Sequence, residues 1–324
     1  MENPVQQKDA ALELHAVHKL FQLKWPNGFV CPRCGYGRCY TIQTRKHPLF
    51  ECADCRHQTS LTVGTIMEGS RTPLTKWFIA IDLVARLSQG TTAVELSRTI
   101  QVTYKTAWLM LHKIRHALGL YEDRQLLTGT VQMNNGKYGH PYNPTVYRHP
   151  EEHPLIAAIS LSEHDEVLQM KIKTVEDRHC DGKYPLNRAR EAFALQFIEK
   201  QAELHGRKSS NAANKQPLIR NVCAQAGRWL NATFHGLGGK HLNAYLDEYC
   251  CRLNLAAASL ERLLERIAAI CVRFSRITYT ALVSKKYARV LPPAYYIARN
   301  RNRYTFFSFA QYAHHPSEIT NMLA

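Results

Sequence analysis

The sequence predicts a multi-domain α/β protein, and three observations predict it. Near the N-terminus, cysteines fall in two C-x-x-C pairs, Cys31-Pro-Arg-Cys34 and Cys52-Ala-Asp-Cys55. Two neighbouring stretches with a helical apolar period follow over residues 91–118. Beyond residue 125, strand-like runs give way to long helical periods. A chain of 324 residues has room for two or three units, each with its own core.

Each C-x-x-C turn offers two sulfurs to one ion, so the two turns together predict a tetrahedral zinc site at Cys31, Cys34, Cys52 and Cys55. Four unrelated free thiols or two disulfides are the alternative. The paired spacing and the lack of any sign of an oxidising compartment speak against it. Knuckles this small have too little apolar surface to fold unaided, so the zinc is structural, its binding supplying about 10–16 kcal/mol in comparable peptides. Residues 9–24 carry an amphipathic helical period ahead of the first knuckle. Residues 39–43, 49–52 and 58–63 read as the three short strands of a ribbon. The other six cysteines (Cys39, Cys180, Cys223, Cys250, Cys251 and Cys271) read as buried or incidental.

Composition bounds the partner. The formal charge is +16, the pI about 9.5 and the hydrophobic content 45%, which describes a folded basic protein. Such an excess of cation favours a polyanion, most commonly nucleic acid, with a membrane surface as the competitor. There is no run of about 18 apolar residues, so no membrane span is expected. The first 20 residues lack the basic start and apolar block of a secretory leader. With thiols in a metal arrangement, the expectation is a cytoplasmic, nucleoid-associated protein.

The helix pair gives the charge a place to act. Residues 72–87 predict a helix closed by Gln89-Gly90. Residues 91–100 then space Val94, Leu96 and Ile100 for one buried face, and Thr103 is placed as the N-cap of a second helix, 104–118. That order reads as a helix-turn-helix, whose second helix can lie in the major groove with its first residues at base edges and its cations at phosphates. An ordinary helical hairpin with a solvated basic face is the alternative; the basic ribbon upstream favours DNA. The candidate DNA contacts are Thr103, Tyr104, Lys105, Thr106, Lys113 and Arg115, with Arg45 and Lys46 from the ribbon.

The rest of the chain reads in order. Residues 128–134 form a strand, Asn134-Asn-Gly-Lys137 a hairpin, and 154–161 and 166–173 two more strands of an antiparallel meander. Residues 186–204 read as one helix and 205–216 as a polar linker. Helices follow over 217–230, 241–253 and 256–275, with Asp247 and Glu248 as surface carboxylates of the middle one. A basic, aromatic tail closes the chain. The boundaries are 1–66 (helix and ribbon), 67–124 (helix-turn-helix), 125–255 (α/β) and 256–324 (helical basic extension).

Three blocks, CPRC…CADC, TTAVELSRTIQVTYKTAWLMLHKIR and WLNATFHGLGGKHLNAYLDEYCCRLN, resemble insertion-sequence transposases with an N-terminal zinc ribbon and helix-turn-helix before a DDE-type, ribonuclease-H-like core. The resemblance covers roughly residues 10–135 and 218–255. It implies acidic residues holding two Mg²⁺ ions that activate a nucleophile and stabilise the leaving oxygen. Hard Mg²⁺ needs carboxylate oxygens. This chain has Asn134 and Asn135 where the resemblance implies aspartate and glutamate on the first strand. Asp181, in Asp-Gly-Lys-Tyr, is the nearest match to the second acid but comes directly after the third strand, and Gln225 stands at the third position. No catalytic residue is therefore expected, and the α/β region reads as a reduced ribonuclease-H-like unit.

The expectation is a sequence-specific double-stranded DNA-binding protein of transposase descent that lacks DDE strand transfer: a regulator, accessory or domesticated transposase, and a homodimer by the same resemblance. The alternative is an active transposase with a non-standard Mg²⁺ site drawn from Asp181, Asp177, Glu176 and Glu248. A zinc-dependent protein–protein adaptor is the third reading.

Overall fold

Aromatic packing ties the first helix to the ribbon. Helix α1 (Pro4–Lys24) sets Phe21 against Phe50 with ring centroids 5.2 Å apart, and Trp25 packs on Phe50 at the same distance. The ribbon is three antiparallel strands in order, β1 (Cys39–Ile42), β2 (Leu49–Cys52) and β3 (Gln58–Ser60). The computed structural model describes residues 4–43, 47–139, 145, 147–205 and 217–284. At the end of α1, the Lys24 ammonium donates to the carbonyls of Ser60, Leu61 and Val63, which ties the helix to the close of the ribbon.

Three helices follow: α2 (Leu74–Ala85), α3 (Ala93–Thr99) and α4 (Tyr104–Arg124). The core they share with α1 and the ribbon includes Leu20, Phe50, Trp77, Leu96 and Ile114. Ile267 and Cys271 of α8 (Leu263–Arg273) lie in that same core. The period over 256–275 is therefore not one helix. Helix α7 (Gly239–Ala258) ends at Ser259, whose backbone is extended, and α8 returns to the N-terminal core. The short α9 (Tyr279–Val283) follows, and the basic tail from residue 285 lies outside the described residues.

The α/β region is built on β4 (Thr130–Tyr138), β5 (His153–Leu161) and β6 (Val167–Thr174), paired antiparallel as the meander predicted. Strand β5 is buried almost throughout, which explains its near-continuous apolar run. A small hairpin, β7 (Cys180–Asp181) with β8 (Tyr184–Pro185), precedes α5 (Asn187–Phe197). Then comes a strand the sequence reading missed: β9 (Glu203–His205) pairs parallel with β4, giving the order β6-β5-β4-β9. Helix α5 is the crossover a parallel neighbour requires, so the helix predicted over 186–204 stops at Phe197. Helices α6 (Pro217–Phe234) and α7 cover one face, with Val222 and Leu246 against Ala157 and Ile159. Helix α5 covers the other, with Phe193 among Val131, Ile156 and Ala158. The result is a mixed α/β protein with a three-layer sheet region behind an N-terminal ribbon.

The hairpin predicted at Asn134–Lys137 is absent. Strand β4 runs straight through it, paired with β5 from Thr130 to Tyr138. Gly136 has a packing reason instead, because a Cβ there would sit 2.9 Å from the Cys223 sulfur of α6.

Candidate metal centre and nucleic-acid interface

The two cysteine knuckles repeat one backbone device. In the first, Gly35 N–H donates to Cys31 O at 2.9 Å and Cys31 N–H to Tyr36 O at 3.0 Å. In the second, Arg56 N–H donates to Cys52 O at 3.2 Å and Cys52 N–H to His57 O at 3.0 Å. These turns bring the four sulfurs within 4.8 Å of one another, with Cys31–Cys55 at 3.6 Å and Cys34–Cys52 at 3.5 Å. A tetrahedral zinc with sulfurs at about 2.3 Å separates them by about 3.8 Å, so the cluster fits that ion.

The thiol electrostatics ask for a cation. At Cys31 burial opposes the thiolate, yet the Cys34 and Arg33 amides and the neighbouring thiols outweigh it and bring its pKa down to about 6. At Cys34 the Tyr36 amide favours the thiolate, but burial and the other three thiols prevail and push its pKa up to about 12. One anion in the cluster suppresses the next, a conflict that a divalent ion removes. Among the described residues, this is the group of three or more His, Cys, Asp or Glu placed to hold a metal.

Helices α3 and α4 are each capped by threonine, as their sequences require. Thr92 accepts from Glu95 N–H at 3.1 Å, and Thr103 accepts from Thr106 N–H at 3.3 Å. Gln101 makes the turn between them with φ 51°. Thr103, Tyr104 and Lys105 are exposed and Thr106 is half-buried, so these four stand together at the open N-terminal end of α4. Val94, predicted inside, is exposed, while Leu96 and Ile100 are buried.

The other two α4 candidates are corrected. Lys113 is buried over the Trp77 ring, 5.7 Å from its centroid. Arg115 is buried, with Nε 2.5 Å from Glu248 Oε2 and Nη2 donating to Thr91 O. Helix α4 runs past the helix pair into the sheet region, so its middle turns, residues 110–115, face protein rather than solvent. Arg45 and Lys46 lie outside the described residues.

The positions that the resemblance assigns to an acidic set fall on three separate elements. Asn134 is half-buried in mid-β4, its Oδ1 accepting from Asn135 N–H, and Asn135 Oδ1 is buried without a partner. Asp181 is exposed in the β7–β8 hairpin, on the near side of α5. The strand that lies beside β4 is β9, where His205 is level with Gln132. Asp181 therefore precedes the strand that pairs parallel with β4 and does not follow it. Gln225 is exposed on α6. Asp177 pairs with Arg148 at 2.7 Å, and Glu176 pairs with Arg178.

Asp247 and Glu248, expected on the surface, are buried. Asp247 accepts from Lys173 of β6, and Glu248 sits between Arg115 and Arg252. Arg252 in turn donates to Arg86 O and Gln89 O in the turn before α3. Sequence period placed these carboxylates on a helix; Arg252 is four residues from Glu248 on that helix, while Arg115 and Lys173 lie far along the chain, beyond the reach of any local pattern.

Residues 13–58, which take in most of α1 and the ribbon, match the transposase zinc-ribbon domain model. An uncharacterized protein in transposable element ISH50 of Halobacterium salinarum is 31% identical over 128 residues. Together these make the N-terminal part of the chain similar to the zinc ribbon of transposases, and 38% of the chain similar to an insertion-element protein. The match to the ISH50 protein covers 38% of this chain and 40% of that protein's length. No solved structure matches this chain. Among the described residues no helix is long and apolar enough to cross a membrane.

Proposed function

We propose that this chain is a sequence-specific double-stranded DNA-binding protein of transposase descent that does not carry out DDE strand transfer. The observation that carries the reading is the open end of α4, where Thr103, Tyr104, Lys105 and Thr106 stand free of the cores behind a ribbon with four clustered cysteines. Helices α3 and α4 act as a helix-turn-helix, with the N-terminal turn of α4 at base edges. Exposed Lys105 and Arg98 meet phosphates, while buried Lys113 and Arg115 do not.

Support for lost strand transfer is the pair of amides on β4, together with the commitment of Glu248 and Asp247 to buried cations. The sheet region acts as a reduced ribonuclease-H-like scaffold: three antiparallel strands, a crossover helix and a parallel fourth strand supply the order that the resemblance implies. The chain works in the cytoplasm on nucleoid DNA as a homodimer, a regulator or accessory of the element that encodes it.

The test is binding of the zinc-loaded chain to a duplex carrying that element's terminal repeat, beside a scrambled duplex, over a series of salt concentrations. The expected result is tighter binding of the repeat, with log affinity falling linearly as log salt rises. Lys105→Ala weakens it and Lys113→Ala leaves the salt slope unchanged. Equal binding of both duplexes overturns the sequence-specific reading. Nicking of the repeat with Mg²⁺ or Mn²⁺ that Asn134→Ala abolishes overturns the loss of strand transfer and restores an active site of non-standard ligands.

A further inference from the structure

Gly35 and Arg56 occupy the same place in the two knuckles. Each follows the second cysteine of its pair, each donates its N–H back to the first cysteine's carbonyl, and each has a left-handed backbone, φ 78° at Gly35 and φ 57° at Arg56. Glycine adopts that conformation freely, whereas a side chain is disfavoured there. The turn itself gives no reason for an arginine, and its sister knuckle shows what serves the turn best.

The side chain is held in a set position. The Arg56 guanidinium carbon lies 5.7 Å from the centre of the Tyr40 ring, and Nη1 is 3.3 Å from Glu51 Oε1. Gln58 Nε2 donates to the other Glu51 oxygen at 2.9 Å. Tyr40, Glu51 and Gln58 are register partners on β1, β2 and β3, so they form one row across the ribbon. Tyr40 is 58% exposed, and the Arg56 side chain is 68% exposed. An exposed ion pair alone adds little stability and does not offset a disfavoured backbone. A guanidinium has five N–H donors, and the Glu51 contact uses one.

We propose that Arg56, braced on Tyr40 and steered by the Glu51–Gln58 pair, grips a DNA phosphate, a second contact distinct from the end of α4. Glu51 offsets part of the local charge, and exposed Arg33 and Arg38 on the same ribbon restore a positive field. The planar fork suits a phosphate, and stacking on tyrosine keeps it pre-organised. The inference rests on the reading of the chain as a DNA-binding protein.

The experiment compares the full zinc-loaded chain with Arg56→Gly, Arg56→Lys and Tyr40→Ala, using terminal-repeat and scrambled duplexes across a salt series. Arg56→Gly gives the knuckle the residue its backbone prefers, so zinc content and melting temperature hold. Its affinity falls roughly 3- to 10-fold for both duplexes alike, and the slope of log affinity on log salt shrinks by about 0.9. Arg56→Lys keeps the slope with part of the affinity, and Tyr40→Ala weakens binding with the slope kept. Parent-like affinity and slope in Arg56→Gly overturn the proposal while the α4 reading stands. Lost zinc or a lowered melting temperature in that variant also overturns it, because the arginine is then structural. If the parent chain shows no salt-dependent DNA binding, both readings fall together.

Discussion

Glu248 holds two arginines with one carboxylate. Its oxygens lie 2.5 Å from Arg115 Nε and 3.4 Å from Arg252 Nη1, with all three side chains almost wholly buried. Removing one member of such a set leaves charge unpaired in the interior, which costs about 3–5 kcal/mol. Glu248→Gln is expected to lower the urea midpoint accordingly, with the slope of the transition unchanged. His112 gives a second expectation. It is buried against the Trp108 ring, and neither ring nitrogen has a partner. Burial, with Arg115 and His241 adding to it, brings its pKa down to about 2. The folded state therefore refuses a proton that the unfolded chain accepts below about pH 6.5. The neutral ring's contribution is complete above that value and drains as pH falls toward about 2, by about 1.4 kcal/mol per pH unit. Urea midpoints measured between about pH 7 and about pH 5 are expected to fall, and His112→Phe to flatten the trend. Arg252 is four residues from Glu248, but the burial of both residues was not legible in sequence, because Arg115 is 133 positions from Glu248 and His112 packs on His241 and Tyr245, equally remote in the chain.

Elements were legible where their signals are local. The knuckles, the Thr103 cap and strands β5 and β6 all rest on neighbours within a few residues, and the structure has them where the sequence put them. Strand β9 failed that test: three exposed residues with no alternation, defined only by pairing with β4 some seventy positions earlier. Helix α2 is a further case. Pro73 gives it no side-chain cap, and Glu13 of α1 accepts from Leu74 N–H, Thr75 N–H and the Thr75 hydroxyl instead. Glu13→Ala is expected to cost about 1–2 kcal/mol, read from the shift in thermal midpoint. Zinc removal acts at the same scale. Cys31, Cys52 and Phe50 belong to the core that α1, α2 and α4 share, so a chelator is expected to unfold more than the ribbon. Loss of helical circular dichroism on chelation, reversed by added zinc, is the measurement.

At the scale of the molecule, sequence boundaries and packing part company. The stretch beyond residue 256 reads as an extension, yet α8 buries Ile267, Ile270, Cys271 and Val272 in the core formed by the first hundred or so residues. A chain ended after Ser259 is expected to expose that core and lose its cooperative melting transition, by calorimetry, rather than leave a stable reading unit. The reason a linear division fails is physical: a helix packs where its apolar face finds a complement, not where the chain last was.

Helix α4 spans both halves. Its first turn is open, and near its last turn Glu122 accepts from Lys171 and Asp123 from Lys173 on β6. Twenty-one residues at about 1.5 Å each make a stiff arm about 30 Å long. A tilt of about 5° of α4, together with the helices packed along it, shifts its open first turn by about 2.5 Å relative to the sheet. On the proposed DNA-binding reading, substitutions beneath the sheet therefore become changes in which sequence that first turn prefers.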